Sequence, residues 1–330
     1  MKENILREND IRGRYPNEIN EDVVSIIGKA FAYYIKENNY SECIVGHDNR
    51  LSSESLNKSL INALVNSGID VIDIGLVTTP MLNYATFIKD IDYALMITAS
   101  HNDKNDNGIK IFGKEHLHLR QDELVVLYDY IKQNKETYGH GTVKNIDIRN
   151  SYIDMLLDKF PKINKKVIVD CGNGTASVIV KDIYSKIFNN VSYINSISDG
   201  SFPIHNPDPN VSSNLKWLID EVKLRNFDLG IAFDGDADRV GIVDNKGNII
   251  TTDYLVAIFS KDIIKNNDNK DIIIDIKCSK AVEHEIKKQG GIPVIVKNGS
   301  AYIETVCHDH PALLGGEFSG HIFFRDNYYG

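Results

Sequence analysis

The stretch of this chain best suited to chemistry contains three aspartates at alternate positions, followed by an arginine. Asp234, Asp236 and Asp238 are separated by a glycine and an alanine, and Arg239 comes next, between two apolar runs that predict strands. Alternate side chains at a strand end point the same way, so the three carboxylates are expected to converge. Such carboxylates repel one another unless a hard cation neutralises them. Most Asp/Gly clusters are solvated turns, but the alternation and the apolar flanks favour a divalent metal site here.

A serine beside a histidine forms the second candidate centre. Ser100 and His101 follow an apolar run at 93–98 that predicts a strand. In open α/β sheets, ligands bind beyond the carboxyl ends of the strands, so Ser100 lies where chemistry is expected. A hydrolase-type pair is disfavoured, because adjacent residues rarely achieve its geometry and no GxSxG elbow is present. A plain polar turn is the alternative. Near the same loop, a turn is predicted at Asn107-Gly108 and is followed by Lys110, which alone would more often be a surface charge.

Further charged and polar residues follow other predicted strands. Arg12 lies near the N-terminus, and Lys277 ends a strand in the last third of the chain. A glycine-rich segment near the C-terminal end carries Glu317, Ser319 and His321, which offer the donors and acceptors that a hydroxyl-rich ligand requires. Gly/Ser loops are usually only turns, so each of these residues alone is weak evidence for a site. Together they place polar and charged side chains at successive strand ends.

The elements that position these residues alternate between strands and helices. Asn20 is the predicted N-cap of the first helix, and Gly68 is the predicted residue after the second. Apolar runs predict strands at 43–46, 69–74, 93–98, 165–170, 191–194, 229–233, 240–243, 272–276 and 292–296; helical periodicity predicts helices at 53–67, 175–188, 213–225, 253–265 and 280–289. Buried strands that alternate with helices predict largely parallel sheets covered on both faces.

Composition excludes several classes of protein. At 330 residues, the chain is too long for one compact core. Its net charge of −9, from 37 basic and 46 acidic residues, offers no broad surface to nucleic acid or to an anionic membrane. The four cysteines form no CxxC pair and are expected to be reduced, buried thiols. No leader or membrane-spanning run is evident, so a cytoplasmic location is expected.

Taken in order, the motifs resemble the α-D-phosphohexomutase family, with the closest similarity to its bacterial phosphomannomutase/phosphoglucomutase branch. The segments that carry the resemblance are 7–13 (RENDIRG), 98–102 (TASHN), 107–110 (NGIK), 169–174 (VDCGNG), 205–209 (HNPDP), 234–239 (DGDADR) and 316–321 (GEFSGH). They span essentially the whole chain. The resemblance implies consecutive related α/β domains, with mixed, mostly parallel sheets sandwiched by helices. The expected boundaries are 1–145 with the phosphoserine loop, 146–251 with the metal loop, and 252–330 with the sugar-binding loop.

The resemblance also implies a reaction. The family interconverts hexose 6-phosphate and hexose 1-phosphate, here of mannose or glucose, through a phosphoserine and a hexose 1,6-bisphosphate that is both intermediate and activator. Ser100 is implied as the phosphoserine, with Mg²⁺ bridging its phosphate and the three aspartates. A phosphosugar is therefore the expected partner, and the sequence does not indicate an oligomeric state.

The remaining candidate residues take their implied roles from the same resemblance. These roles are stabilisation of the transferring phosphate by Arg12, Arg239 and Lys277, proton transfer by Lys110 and His101, sugar binding by Glu317 and Ser319, and support of the sugar loop by His321.

Two features depart from the family pattern. The third-domain loop usually reads Gly-His-Ser-Leu-Ile-Lys, whereas this chain has Ser300 in place of the histidine and Glu304 in place of the lysine. The chain also ends at Gly330, before the third domain is expected to finish and without a fourth domain that grips the second phosphate. It is therefore expected to be a fragment or a naturally short form, and if the short form is natural, its mutase activity is expected to be weak or absent because one phosphate lacks its anchor. A non-catalytic phosphosugar-binding remnant and a metal-dependent sugar-phosphate phosphatase are the alternatives.

Overall fold

A computed structural model of the chain describes residues 3–7 and 9–326. Glu8, which belongs to the 7–13 motif, and residues 327–330 at the end of the sequence lie outside the described residues. The chain forms three α/β units, each built around its own sheet, with six, five and four strands in order along the chain. Among the described residues, no helix combines the length and the apolar character needed to cross a bilayer.

The first unit contains a six-stranded mixed sheet. Its elements are β1 (Ile11–Arg14), α1 (Glu21–Glu37), β2 (Glu42–His47), α2 (Ser53–Asn66), β3 (Asp70–Leu76), α3 (Thr79–Lys89), β4 (Ala94–Ile97), β5 (Asp106–Phe112), α4 (Gln121–Lys132) and β6 (Val143–Asn145). The strand order is β1-β5-β4-β2-β3-β6. β4, β2, β3 and β6 run parallel, whereas β5 is antiparallel to both of its neighbours.

The second unit contains a five-stranded sheet in the order β11-β10-β9-β7-β8. Its elements are α5 (Arg149–Lys159), β7 (Ile163–Asp170), α6 (Val180–Ile187), β8 (Phe188–Ile194), α7 (Lys216–Arg225), β9 (Leu229–Phe233), β10 (Val240–Asp244) and β11 (Ile249–Ile250). The β7 strand pairs in parallel with β8 and β9, and β9 turns back into β10 as an antiparallel pair.

The third unit contains a four-stranded sheet in the order β13-β12-β14-β15. Its elements are α8 (Thr252–Asn266), β12 (Asp271–Asp275), α9 (Lys280–Lys288), β13 (Ile292–Val296), α10 (Ser300–Asp309), β14 (Leu314–Gly316) and β15 (Ile322–Phe324). Only β15 is antiparallel to its neighbour. Across the three sheets, parallel pairings outnumber antiparallel ones, which confirms the predicted fold class.

Local signals in the sequence account for several helix ends. The Asn20 side chain accepts a hydrogen bond from the Val23 N–H at 3.0 Å, so it caps α1 as predicted. Gly68, just past α2, has the positive φ of 78° that a glycine after a helix tolerates best. Cys43, Cys171 and Cys307 are buried free thiols as expected, whereas Cys278 is only half-buried.

The prediction of a turn at Asn107-Gly108 was wrong, because these residues lie inside β5. The Asn107 side chain is buried and donates to the hydroxyl oxygens of Ser52 and Ser53 at 2.7 and 2.9 Å. Gly108 is required by packing, since a Cβ at this position would overlap the Ile11 carbonyl oxygen on the adjacent strand. Asn107 and Gly108 therefore form close contacts within the sheet and not a turn. Lys110 lies on the same strand.

The hydrophobic core joins the first two units. One apolar cluster fills the face of the first sheet that α1, α2 and α4 cover. A second cluster covers the other face, and it includes Ile153 from α5 and Ile183 from α6 as well as Met81 from α3. Both faces of the sheet are therefore covered, as predicted, but helices of the second unit supply part of that cover.

Arg50 fixes the loop that follows β4. Its side chain is 0 % exposed and pairs with Asp48 at 3.2 Å. Its guanidinium also donates to the backbone carbonyl oxygens of Ser100 at 2.8 Å and Asn102 at 2.9 Å, and to those of Asp103 and Asp106. A single buried cation thus satisfies four carbonyl groups of one loop, and the conformation of that loop depends on it.

We therefore expect Arg50→Met to destabilise the protein strongly. The substitution leaves the buried Asp48 carboxylate without its cation, and breaking a buried ion pair typically costs about 3–5 kcal/mol. Urea denaturation followed by circular dichroism measures the change. Arg149→Met is the control, because Arg149 pairs with Asp147 with side chains 52 % and 63 % exposed, and its loss should cost less than about 0.5 kcal/mol. Equal stability of the two variants would contradict this role of Arg50.

Candidate functional site

The three aspartates lie in the turn between β9 and β10 and not on a strand. Ala237 has a positive φ of 60°, which bends the turn back on itself. The Oδ1 atom of Asp234 accepts hydrogen bonds from the N–H groups of Asp238 and Arg239, both at 3.1 Å. The carboxylates therefore converge, but the geometry of a tight turn brings them together instead of the strand alternation that the sequence suggested.

The cluster has the properties of a cation site. Oxygen atoms of Asp234, Asp236 and Asp238 lie within 4.8 Å of one another. Among the described residues, Oδ1 of Asp236 and Oδ1 of Asp238 are buried and have no hydrogen-bond partner. Buried polar atoms normally have partners, and hard divalent cations bind carboxylate oxygens. These orphaned oxygens fit a divalent metal ion.

Ser100 lies against the first of these carboxylates. Its hydroxyl donates to Oδ2 of Asp234 at 2.8 Å, although the serine belongs to the first unit and the aspartate to the second. Its backbone φ is 52°, a left-handed conformation that costs energy for a residue with a Cβ. Gly235 permits the close approach, because a Cβ there would overlap the Ser100 carbonyl oxygen. The serine hydroxyl and the aspartate cluster thus form a single site.

Two further side chains of the first unit contact the cluster. The Nζ atom of Lys110, on β5, donates to Oδ2 of Asp236 at 2.6 Å and also to Asp238. The Thr79 hydroxyl, in the first turn of α3, donates to the same Asp236 oxygen at 2.6 Å. Lys110 is therefore a buried ion-pair partner of the metal-type carboxylates and not a surface charge.

The titration of the cluster reflects burial and these neighbours. Burial and the two other carboxylates raise the pKa of Asp234. Burial opposes ionisation of Asp236 and Asp238 as well, but Lys110 outweighs it and holds the pKa of both below the usual range. Burial would lower the pKa of Lys110, yet the carboxylates raise it instead, so this lysine carries its charge.

His101 and Arg12 flank the serine. The Nδ1 atom of His101 lies 3.3 Å from the Ser100 hydroxyl oxygen. Burial, with Arg239 and Arg12 nearby, lowers the pKa of His101 to about 3, so its ring is neutral. Arg12, on β1, donates to the Ala99 carbonyl oxygen at 3.0 Å and so braces the serine loop. The structure brings both predicted residues to the serine.

Arg239 bridges the cluster from the second unit. Its Nε atom lies 3.9 Å from Oδ2 of Asp234 and 3.9 Å from Oδ1 of Asp238. These separations exceed hydrogen-bond range, and Nε is buried without a hydrogen-bond partner among the described residues. Arg239 is therefore close enough to offset the negative charge of these carboxylates.

The third unit reaches the cluster through the segment after β14. His321 approaches Oδ2 of Asp238 at 3.3 Å and contacts Glu317 through its other ring nitrogen. Burial opposes the charge of His321, but Asp238 and Glu317 raise its pKa to about 9. Burial likewise opposes ionisation of Glu317, whereas His321 lowers its pKa to about 2. Ser319 donates to the same Glu317 carboxylate, so the three predicted sugar-loop residues form one network.

Lys277 is separated from this network. It lies exposed in the turn after β12, and its backbone N–H donates to Asp275 at 2.9 Å. No described contact links its side chain to the cluster around Ser100. Of the predicted site residues, Lys277 is the one that the structure does not bring to the others.

A cavity of about 330 Å³ opens beside the cluster. Its walls include Arg12, His101, Lys110, Arg239 and His321, from all three units. The volume falls in the range of small-ligand sites, about 300–1,000 Å³. Arg12, Lys110 and Arg239 all line this cavity, so positive charge is available to an anionic ligand despite the negative net charge of the chain.

Two residues of this site went unrecognised in the sequence. Thr79 was missed together with α3, although Thr78 and Pro80 form a helix-start signal in which Thr78 caps the helix and accepts from the Met81 N–H at 3.2 Å. His118 also lines the cavity, and no local pattern marks it. Its approach to the site depends on a tertiary contact with Glu304.

Three family models match the chain in succession. The phosphoglucomutase/phosphomannomutase α/β/α domain I matches residues 3–138, domain II matches residues 148–247, and domain III matches residues 251–330. Together the matches cover most of the chain, in the order in which the three sheets occur.

Individual proteins agree with these matches. The chain is 39% identical over 331 residues to a phosphomannomutase/phosphoglucomutase of Pseudomonas syringae pv. tomato, covering 100% of this chain and 71% of the relative. It is 34% identical to a phosphomannomutase of Methanocaldococcus jannaschii, covering 98% of this chain and 72% of that one. A crystal structure of a Burkholderia thailandensis family protein superposes with a TM-score of 0.95 at 30% identity, covering 100% and 74% of the two chains. This chain therefore belongs to the phosphoglucomutase/phosphomannomutase family.

Proposed function

We propose that this chain is a hexose phosphomutase that interconverts hexose 6-phosphate and hexose 1-phosphate, with mannose or glucose as the sugar. One observation carries the proposal: the Ser100 hydroxyl donates to Asp234 within a buried group of three carboxylates that could hold a metal ion. Family membership supports the reaction class, and the relative from Pseudomonas syringae carries both sugars in its name.

In this proposal Ser100 carries the phosphoryl group. The bond between its Oγ atom and phosphorus breaks while a hydroxyl oxygen of the hexose phosphate forms a new bond to phosphorus, which gives hexose 1,6-bisphosphate. The bisphosphate then turns around, and its other phosphoryl group returns to Ser100. Such transfers depend on positioning and charge neutralisation more than on other chemistry, which suits a rigid, strained serine beside several cations.

The attacking hydroxyl loses a proton and the departing Ser100 oxygen gains one, and His101 is proposed to take the first proton and to return a proton to the serine oxygen. Its ring is neutral and lies 3.3 Å from the serine oxygen. Lys110 is a poor acceptor because the neighbouring carboxylates hold its charge, so we assign it to stabilising the transferring phosphoryl with Arg12 and Arg239. Lys277 is proposed for the same role on the family resemblance alone.

Asp234, Asp236 and Asp238, with Ser100, are the proposed residues that hold Mg²⁺. When bound, the ion neutralises negative charge on the transferring phosphoryl group. The orphaned oxygens of Asp236 and Asp238 support this assignment, since they have lone pairs and no other described partner. Lys110 favours the ionised forms of Asp236 and Asp238, which can then bind a cation.

The sugar hydroxyl groups are proposed to bind Glu317 and Ser319. Glu317 is ionised and held by His321, so it accepts hydrogen bonds in a fixed orientation. Asn210 of the second unit donates to the Ser319 carbonyl oxygen at 2.7 Å. The sugar loop is thereby anchored to the unit that carries the aspartates. The proposed units follow the boundaries 1–145, 146–251 and 252–330.

A coupled assay tests the reaction class. Purified protein is given glucose 1-phosphate or mannose 1-phosphate with Mg²⁺ and a hexose 1,6-bisphosphate activator. A mutase forms hexose 6-phosphate, whereas a phosphatase releases inorganic phosphate and a binding protein forms neither. Hexose 6-phosphate that depends on the bisphosphate supports the proposal, and phosphate release without it contradicts the proposal.

We expect incubation with glucose 1,6-bisphosphate and Mg²⁺ to add one phosphoryl group to the protein, because Ser100 is the proposed acceptor. Intact mass spectrometry detects the increment. Ser100→Ala should abolish it. Ser201→Ala is the control, because Ser201 also donates to a carboxylate, Asp199 at 2.7 Å, but has no described contact with the aspartate cluster. Phosphorylation that persists in Ser100→Ala would show that another residue is the acceptor.

We also expect Asp236→Asn to weaken Mg²⁺ binding at least about tenfold, which is the smallest loss usually seen when even an outer partner of a metal site is removed. Isothermal titration calorimetry with MgCl₂ measures the affinity. Asp220→Asn is the matched control, because Asp220 is exposed on α7 and pairs with Lys216. Unchanged affinity in Asp236→Asn, or a matching loss in Asp220→Asn, would contradict the assigned metal site.

A further inference from the structure

His118 stands at the edge of the cavity but belongs to none of the motifs that define the site. It follows β5, and its ring packs on Phe112 with the ring centroids 4.2 Å apart. Its side chain is 14 % exposed. It lines both the 330 Å³ cavity and a smaller cavity of about 60 Å³ behind it. A polar ring that is fixed at a ligand cavity calls for a chemical explanation.

Glu304 fixes that ring from the third unit. One of its oxygens, Oε2, accepts hydrogen bonds from the His118 backbone N–H and from the ring nitrogen Nδ1, both at 2.8 Å. Glu304 lies on α10 and is 1 % exposed, so its carboxylate is shielded from water. A carboxylate accepts and an N–H donates, so Nδ1 carries a proton in this contact.

This arrangement determines what the other ring nitrogen can do. In the neutral ring with a proton on Nδ1, Nε2 carries a lone pair and accepts a hydrogen bond. Among the described residues, Nε2 of His118 has no hydrogen-bond partner, and it is not among the fully buried atoms that lack one. It is therefore accessible to a molecule in the adjoining cavity.

We propose that His118, oriented by Glu304, is a further substrate-binding residue whose Nε2 atom accepts a hydrogen bond from a hydroxyl group of the bound hexose phosphate. The inference rests on the proposed function, since it names a contact to that substrate. Glu304 is a positioning residue, because it acts through the imidazole and not on the sugar.

The cavity offers donors for the phosphate group of the ligand and an acceptor for its hydroxyl groups. The phosphate group is an acceptor, and Arg12, Lys110 and Arg239, which line the cavity, offer donors for it. The hydroxyl groups are the donors of a hexose phosphate, and Nε2 of His118 is an acceptor. Ser300 and His321 line both cavities beside His118, which places this acceptor next to the loop proposed to bind the sugar.

A purely structural role is the competing explanation, because the contact joins the first and third units. Two substitutions separate the roles. His118→Asn keeps an N–H close to the position of Nδ1, which preserves a donor to Glu304 but removes the atom that faces the cavity. His118→Gln places an amide close to the position of Nε2. His310→Ala is the control, since His310 faces Asp271 at 3.9 Å outside the cavity.

Calorimetric titration of each variant with glucose 1-phosphate, and separately with inorganic phosphate, measures the contact without turnover. Loss of one hydrogen bond should weaken glucose 1-phosphate binding by His118→Asn about three- to tenfold. Binding of inorganic phosphate should not change. His118→Gln should recover most of the affinity, and His310→Ala should bind as the unaltered protein does. Unchanged glucose 1-phosphate binding by His118→Asn, or an equal loss for both ligands, would overturn the inference.

A second measurement uses the unaltered protein and so does not depend on the folding of a variant. In protein labelled with ¹⁵N-histidine, glucose 1-phosphate should shift the Nε2 resonance of His118, whereas inorganic phosphate should not. No shift would overturn the inference even if glucose 1-phosphate binds. Failure of the unaltered protein to bind glucose 1-phosphate would instead contradict the proposed function from which the inference starts.

Discussion

The structure depends on how the negative charge of three carboxylates within 4.8 Å of one another is offset, two of them fully buried and one nearly so. Their mutual repulsion is strong in a site that is largely shielded from water, and each of the three units supplies a positive group that offsets it. Lys110 comes from a strand of the first unit, Arg239 follows the aspartates in the second, and His321 comes from the third. Charge compensation therefore requires the three units to meet at one place.

That requirement explains features of the backbone that lie far apart in the chain. Gly235 has no side chain because the Ser100 carbonyl oxygen occupies the space. Arg50 fixes the serine loop from inside the first unit, so that the Ser100 hydroxyl meets Asp234 of the second. Helices α5 and α6 also complete the apolar cover of the first sheet. Apolar packing thus helps to fix the relative position of the first two units, and this position brings Ser100 to Asp234.

Features that depend on local sequence could be predicted, whereas contacts between residues far apart in the chain could not. Apolar runs and caps such as Asn20 predicted most strands and helices, and spacing predicted the convergence of the aspartates. The strand at Asn107-Gly108 was mistaken for a turn, because its turn-favouring residues are satisfied by Ser52, Ser53 and a neighbouring strand. The buried pairing of Lys110 and the contact of His118 with Glu304 join residues far apart in the chain, which no local pattern encodes.

The central claim is that Ser100 and the three aspartates form one cation-binding site for phosphoryl transfer. Anomalous diffraction from a crystal of the protein soaked in MnCl₂ tests it most directly, because Mn²⁺ takes the oxygen ligands that suit Mg²⁺ and its position can be read without assumptions about activity. The account predicts a single strong peak among the carboxylates of Asp234, Asp236 and Asp238, beside the Ser100 oxygen. A strong peak elsewhere with none at this cluster would contradict it.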